Sequence, residues 1–552
     1  MMMRCRSVLG WCALAVVIAC GAPASVQAAA SDEETIAEIN RLIARGWADN
    51  DAKPSPRADD YEFGRRVTLD IAGRIPSLEE LTGFVDDTEK QKRGQYVDRL
   101  LDTPDYIRHF TNIWANTLVG RGMRNANRDE LEKWLRDSIY RNDGYDKFVY
   151  GLIAAEGAGE ENGAINFLSA HLNDGAVPAT SITARVFLGM QVQCTQCHNH
   201  PFNDWKQSQF WGLNAFFRGT QRRNNGDRRE QILMDRPVTG LVFFEKRNGL
   251  QEAINRKFVD GTPATADEYT KPRTQLAQMI TDPKRPYMAA AQVNRMWAHF
   301  FGVGFTKPVD DMGPHNPASH PELLDFLTKE FTESGFDNKR LIRWIAGSDA
   351  YQLTSRFGEG NLRDDPNSGN TPLFSRMYVK HFTAEQLYDS LIVATDAHKA
   401  KRNADAAEKQ RREWLGQFVR TFGTDENDEA TVFNGTIPQA LVLMNGELIR
   451  SATSDVQGSF LHRLLESRGG DVAAEKPAKG AKKPRPTRKP AKNPIRAKID
   501  TLFLASLGRP ADNDEVQRLE KVLSDNRSQN GIQAFEDLFW ALLNSNEFII
   551  NH

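Results

Sequence analysis

The stretch Ser319-His320-Pro321-Glu322-Leu323-Leu324-Asp325-Phe326-Leu327-Thr328-Lys329-Glu330-Phe331-Thr332-Glu333-Ser334-Gly335 reads as one helix with both ends marked. Ser319 and Glu322 have capping-box spacing, in which the hydroxyl takes an orphan backbone N–H and the carboxylate reaches back to the cap. Leu323, Leu324, Phe326, Leu327 and Phe331 then share one helical face. Gly335 suits a left-handed stop. Working outward, the same signals recur. Ser77-Leu78-Glu79-Glu80 and Thr383-Ala384-Glu385-Gln386 are two more boxes, and Asp102-Thr103-Pro104 opens a helix with proline where a missing N–H costs little. These starts, each followed by helical apolar spacing, predict a mainly α protein. The exception lies around Arg236 to Glu245, where Val238, Leu241, Val242, Phe243 and Phe244 flank Thr239-Gly240 and predict a short hairpin.

The chain has 552 residues, a length that suggests about three domains and ample core. Its formal charge is −2, or −4 without Arg4 and Arg6, which gives no reason to expect nucleic acid as a partner. The first residues read as an export leader spanning 1–28. Arg4 and Arg6 precede an apolar core from Val8 to Ala19 that is too short to span a bilayer, and Val26-Gln27-Ala28 offers a cleavage site. Val17-Ile18-Ala19-Cys20-Gly21 is a looser alternative, a lipoprotein box that would place a lipid anchor on Cys20. No later segment approaches the ~20 apolar residues of a transmembrane helix. The expected protein is exported, to periplasm or cell surface, and does not span the membrane.

The mature chain divides into a helical module at 34–220, a connector with short β structure at 221–265, and a second helical module at 266–552. The second is interrupted by a linker at 474–494. Ala474 to Pro494 is rich in proline and cations that cannot build a core, so it is expected to be disordered and solvated.

Of five cysteines, Cys5, Cys12 and Cys20 belong to the leader, which leaves Cys194-Thr195-Gln196-Cys197-His198. In an exported chain this Cys-x-x-Cys-His run reads as a c-type haem attachment site, with thioethers from Cys194 and Cys197 and iron ligation by His198. Thr180 to Gln193 reads as a helix delivering the run, and Phe202, Trp205, Phe210, Trp211, Phe216 and Phe217 can wall a macrocycle or form an ordinary core. Met190 and His200 lie too near the run to reach the opposite face of the iron easily. Met296, His299, Met312, His315 and His171 are the other candidates for a sixth ligand.

Two alternatives stay open. Cys194, Cys197, His198 and His200 suit zinc or copper, although four ligands within seven residues strain a tetrahedron. Cys194 and Cys197 also suit a disulfide, without the βαβ pattern of a thioredoxin. Asp310-Asp311-Met312-Gly313-Pro314-His315 contains metal-ligand types, yet in a Gly/Pro turn these usually satisfy backbone groups. No Gly-rich phosphate loop, Gly-x-Ser-x-Gly elbow or His-Glu-x-x-His occurs.

The chain resembles a large family of planctomycete-type exported proteins that pair a cytochrome-like PSCyt-two domain with a PSD-one domain. The first resemblance runs through Arg65-Arg66-Val67-Thr68-Leu69-Asp70, Gly73-Arg74-Ile75-Pro76-Ser77, Arg185-Val186-Phe187-Leu188-Gly189 and Cys194 to Trp205. The second runs through Asn294-Arg295-Met296-Trp297, Ser319 to Leu324, Ala350-Tyr351-Gln352 and Trp540 to Phe548. The family's cytochrome-like name implies haem c, while its biochemical role is unsettled. Two functions follow as expectations. One is an exported haem protein working in electron transfer with redox partners. The other is a non-catalytic interaction protein, binding other exported proteins, whose Cys/His run is a disulfide or metal staple.

Overall fold

The computed structural model describes residues 31–121, 126–224, 231–236, 241–265, 270–396, 411–413, 416, 453–455, 459–467, 493–525 and 531–552. The proposed leader, its three cysteines and 474–492 of the linker lie outside the described residues.

Helices dominate, as the capping signals predict. Ser77 caps Leu78–Val85 with a full capping box to Glu80, and Thr383 caps Ala384–Ala394 with one to Gln386. Thr103 accepts from the Tyr106 N–H with Pro104 as first helical residue. Ser31 and Glu34 form another box, ahead of Asp32–Asp49.

The helix Pro321–Glu333 departs from its expected start. His320 is its N-cap and no side chain caps it. Proline at the first helical position fixes the start one residue late, so Glu322 stands one place short of where a box needs it. Its carboxylate pairs with Arg45 at 2.8 Å instead. The linker is likewise shorter than expected at its far end. Asn493 accepts from the Ile495 and Arg496 N–H groups and caps the helix Pro494–Leu507.

One helix organises the rest. In Asp60–Ala72 every residue from Phe63 to Ala72 is buried. Phe63, Val67 and Ile71 face a first hydrophobic core that gathers residues from Ile39 to Tyr378. Leu69, with Ile75 beyond the helix end, belongs to a second core built from Phe382 to Ile549. A helix buried all round needs a partner for each of its charges. Arg65, Arg66 and Asp70 are its buried charged residues.

The strands are short and antiparallel. Gly157–Ala158 and Thr220–Asn224 flank Gln231–Asp235. Val242–Glu245 pairs with Gln251–Ile254 across a turn at Asn248-Gly249, where Gly249 takes φ 79°. The hairpin therefore lies one strand downstream of the expected one. Thr239-Gly240 is outside the described residues, and Gly249 supplies the left-handed backbone this turn needs. Lys380–His381 pairs with Ile550–Asn551. No described helix is long and apolar enough to cross a membrane.

Candidate functional site

The helix leading to the cysteines is shorter than its periodicity suggests. It spans Val177–Leu188, and Gly189 closes it in the left-handed conformation at φ 67°. A 3-10 turn, Gln193–Gln196, follows. Thr195 is the anchor of that turn. Its side chain is fully buried and its hydroxyl donates to the Val192 carbonyl at 2.6 Å. With the middle residue turned inward, Cys194 and Cys197 stand exposed on either side as free thiols.

His198 is exposed, and its Nδ1 lies 2.7 Å from the Asn199 carbonyl. A carbonyl only accepts, so Nδ1 carries the proton and the Nε2 lone pair is left outward. His200 differs. Its ring Nδ1 accepts the Phe202 backbone N–H at 3.3 Å, and the His200 backbone N–H donates to the Trp205 carbonyl at 2.8 Å.

The loop rests on a polar scaffold. The Gln196 carbonyl accepts from Trp211 Nε1 at 3.1 Å and from Gln207 Nε2 at 3.2 Å. Gln207 Nε2 also donates to the Glu245 carbonyl at 2.8 Å, which ties the 242–254 hairpin to the turn. Trp211 stacks on Phe244. The expected aromatic wall thus divides. Phe210, Phe216 and Phe217 are buried in the core, Trp205 and Trp211 are half-buried, and Phe202 is 87% exposed. Only the last three remain near enough to the surface to meet a ligand.

Among the described residues, no group of three or more His, Cys, Asp or Glu side chains is arranged to hold a metal ion. The donor set does fit haem c: paired thiols, both accessible, followed by an imidazole whose Nδ1 proton is held by a carbonyl.

The sixth-ligand candidates scatter. His171 is buried against the Leu118 carbonyl, and His299 against the Asp70 carbonyl. Met296 lines an interior cavity with Tyr106, Phe110 and Trp114. Met190 is buried. Met312 and His315 come to the cysteine loop. The Met312 N–H donates to the Gly189 carbonyl at 2.7 Å, and the His315 ring sits 6.4 Å from that of His200.

A second polar cluster was not foreseen as such. Asp70 Oδ1 accepts from Lys380 Nζ at 2.6 Å and Asn551 Nδ2 at 2.7 Å, while Tyr351 Oη donates to Oδ2 at 2.6 Å. Arg65 donates to the Ser506 and Phe548 carbonyls, and Arg66 to those of Tyr351 and His552. Burial pushes the Lys380 ammonium below its usual range against the pull of Asp70, and it lifts the Tyr351 phenol well above its own. His109, 5.6 Å ring to ring from His299, is held well below 6.5 by burial. The cluster joins the first core to the C-terminal segments. Its signal was the charges Arg65, Arg66 and Asp70 within the buried run from Phe63 to Ala72. Spacing along the helix names only Glu62, which accepts from Arg66 Nη2 at 2.8 Å, and nothing local names the other partners.

No curated protein and no solved structure matches the chain. Family models match in two places: PSCyt2, a protein of unknown function (DUF1549), over residues 38–222, and PSD1, a protein of unknown function (DUF1553), over residues 272–523. The chain accordingly belongs to the family of proteins in which a PSCyt2 domain is followed by a PSD1 domain.

Proposed function

We propose that the protein is an exported c-type haem protein that passes electrons to redox partners, with haem held by Cys194, Cys197 and His198. The observation that carries this reading is the turn itself. Two free thiols are exposed on either side of buried Thr195, and His198 follows with Nε2 unengaged. Each thiol would add across a vinyl group, sulfur to one carbon and hydrogen to the other, a redox-neutral addition that needs reduced cysteines. Bound haem would supply a one-electron couple. The chain supplies the rest. Asn199 fixes the His198 tautomer, and Trp211 and Gln207 brace the turn through the Gln196 carbonyl. The leader 1–28 supports the reading, because covalent attachment takes place outside the bacterial cytoplasm.

The test is a haem stain on a denaturing gel with a reduced-minus-oxidised spectrum, after co-expression with cytochrome c maturation machinery. A covalent signal lost in Cys194→Ala is expected. A colourless wild-type protein would reject haem and leave the interaction protein with a disulfide or a zinc or copper staple.

A further inference from the structure

We infer that Asp310 is a positioning residue for the cysteine turn, so that the PSD1 region completes a site carried by the PSCyt2 region, an inference that rests on the haem reading of Cys194, Cys197 and His198. Asp310 falls in the second matched region and the cysteines in the first. It is 9% exposed, and both its carboxylate oxygens turn to the segment that leads into the cysteines. Oδ1 accepts from Gln191 Nε2 at 2.8 Å, and Oδ2 stands 3.6 Å from Arg185 Nε. These two partners bracket Gly189, where the helix Val177–Leu188 ends and the chain swings toward the turn. The joint itself is held as well. The Gly189 carbonyl accepts the Met312 N–H at 2.7 Å, and a Cβ on Gly189 would lie 2.8 Å from Met312 Sδ. One turn of the PSD1 region thus fixes the chain before, at and after its change of direction.

The clamp is itself anchored. Asn294, in the helix Tyr287–Phe301, is fully buried, and its Nδ2 donates to the Val309 carbonyl at 2.9 Å, which fixes the residue before Asp310. Its neighbour Arg295 reaches the other way and donates to the Val186 carbonyl at 2.7 Å. Asn316 Nδ2 donates to the Asp311 carbonyl at 2.8 Å and closes the turn. Beyond the cysteines, the His315 ring packs 6.4 Å from that of His200, so the same turn meets the chain on both sides of the run. From Gln191 to the thiols the path is short. Val192 is buried, and its carbonyl takes the Thr195 hydroxyl at 2.6 Å and the Thr195 N–H at 3.0 Å. Holding Gln191 therefore holds the residue on which the cysteine turn is built. Attachment at two points needs Cys194 and Cys197 presented together in one geometry. A turn free to sample others would attach through one thiol and leave its partner reduced.

The experiment uses the full mature chain in wild-type, Asp310→Ala, Asp310→Asn and Gln191→Ala forms. Hydrogen exchange read by mass spectrometry on the unloaded proteins measures the turn. Co-expression with cytochrome c maturation machinery, then alkylation and peptide mass, counts thioethers per chain. Asp310→Ala and Gln191→Ala should each speed exchange over 189–198 by about tenfold and leave 60–72 protected as in the wild type. Combining the two should add little to Asp310→Ala alone, since both remove one bond. Asp310→Asn keeps an acceptor for Gln191 and should stay near the wild type. Once loaded, the wild type should carry two thioethers, and Asp310→Ala a mixture with one, its second thiol alkylated. Gln191 is exposed, so its variant tests the clamp even where Asp310→Ala fails to fold. Unchanged exchange over 189–198 in Gln191→Ala would overturn the positioning role. So would an equal loss of protection over 60–72, the mark of a general loss of stability. Full double attachment in Asp310→Ala would overturn the consequence for haem. A wild type without covalent haem would overturn the haem reading alone, because exchange judges the clamp in the unloaded protein.

Discussion

Asn551 donates its side-chain amide to Asp70 Oδ1 at 2.7 Å, a buried contact that joins residues 481 positions apart. The same oxygen takes the Lys380 ammonium at 2.6 Å, and the other takes Tyr351. Asp70 is 1% exposed, so its charge is stable in place only because three donors converge on it. Asn551 lies beyond both matched regions, whereas Lys380 and Tyr351 tie Asp70 of the first matched region to the second.

Asp70→Asn should therefore be severely destabilising, by about 3–5 kcal/mol, because it leaves Lys380 buried without its counter-charge. The new amide would also point a donor at a site already crowded with donors. Urea denaturation at pH 7 measures this. Adding Lys380→Met should recover a substantial part of the loss, and no recovery would mean that the charge pair is not the cause.

Acid should weaken the fold before it protonates ordinary carboxylates. Burial holds His109 well below its usual 6.5, lowers His299, and brings His320 to about 4. In each case the unfolded chain binds a proton that the folded chain refuses, so stability is fully present above pH 6.5. It is lost as pH falls from 6.5 toward the folded values. For His320 alone that window is worth about 3 kcal/mol. Glu385, held at about 2 by Arg121 against the opposing effect of burial, adds loss of the same sign below its unfolded value of 4.5. Melting temperature should drop between pH 7 and pH 5, and His320→Gln, neutral throughout, should flatten that part of the profile. A pH-independent melting point over this range would refute the linkage.

The parts legible in the sequence are those whose physics is local. Ser77 and Glu80, Thr103 and Pro104, and Thr383 and Gln386 close their bonds within four residues, and the helices start where those residues say. Ser319 misleads for an equally local reason, since Pro321 outranks it as the start. Cys194 to His198 was legible as chemistry, while its exposure depends on buried Thr195 and on Gly189 ending the helix early. Arg65, Arg66 and Asp70 were visible only as matching residues. Apart from Glu62, four residues before Arg66, their partners Ser506, Phe548, His552 and Asn551 lie hundreds of positions away, and no spacing rule reaches that far. His315 was among the sequence candidates for an iron ligand, but its place in the fold was not legible. A Gly/Pro turn has many ordinary uses for a histidine, and only the fold brings it to His200.

Two glycines close in sequence give opposite expectations for the same substitution. Gly73 ends the central helix at φ 71°, and a Cβ there would stand 2.3 Å from His109 Nδ1. Gly73→Ala pays both for a left-handed backbone and for overpacking against a ring that has nowhere to move, about 2–5 kcal/mol together. Gly83 lies exposed inside the helix Leu78–Val85, and nothing stands within 4 Å of an added Cβ. Gly83→Ala should stabilise by about 0.5–1 kcal/mol, because alanine loses less backbone freedom on folding. Paired thermal melts of the two variants decide the matter. If both shift in the same direction, the packing assigned to His109 above Gly73 is wrong, and with it the account of how the two cores meet at that helix end.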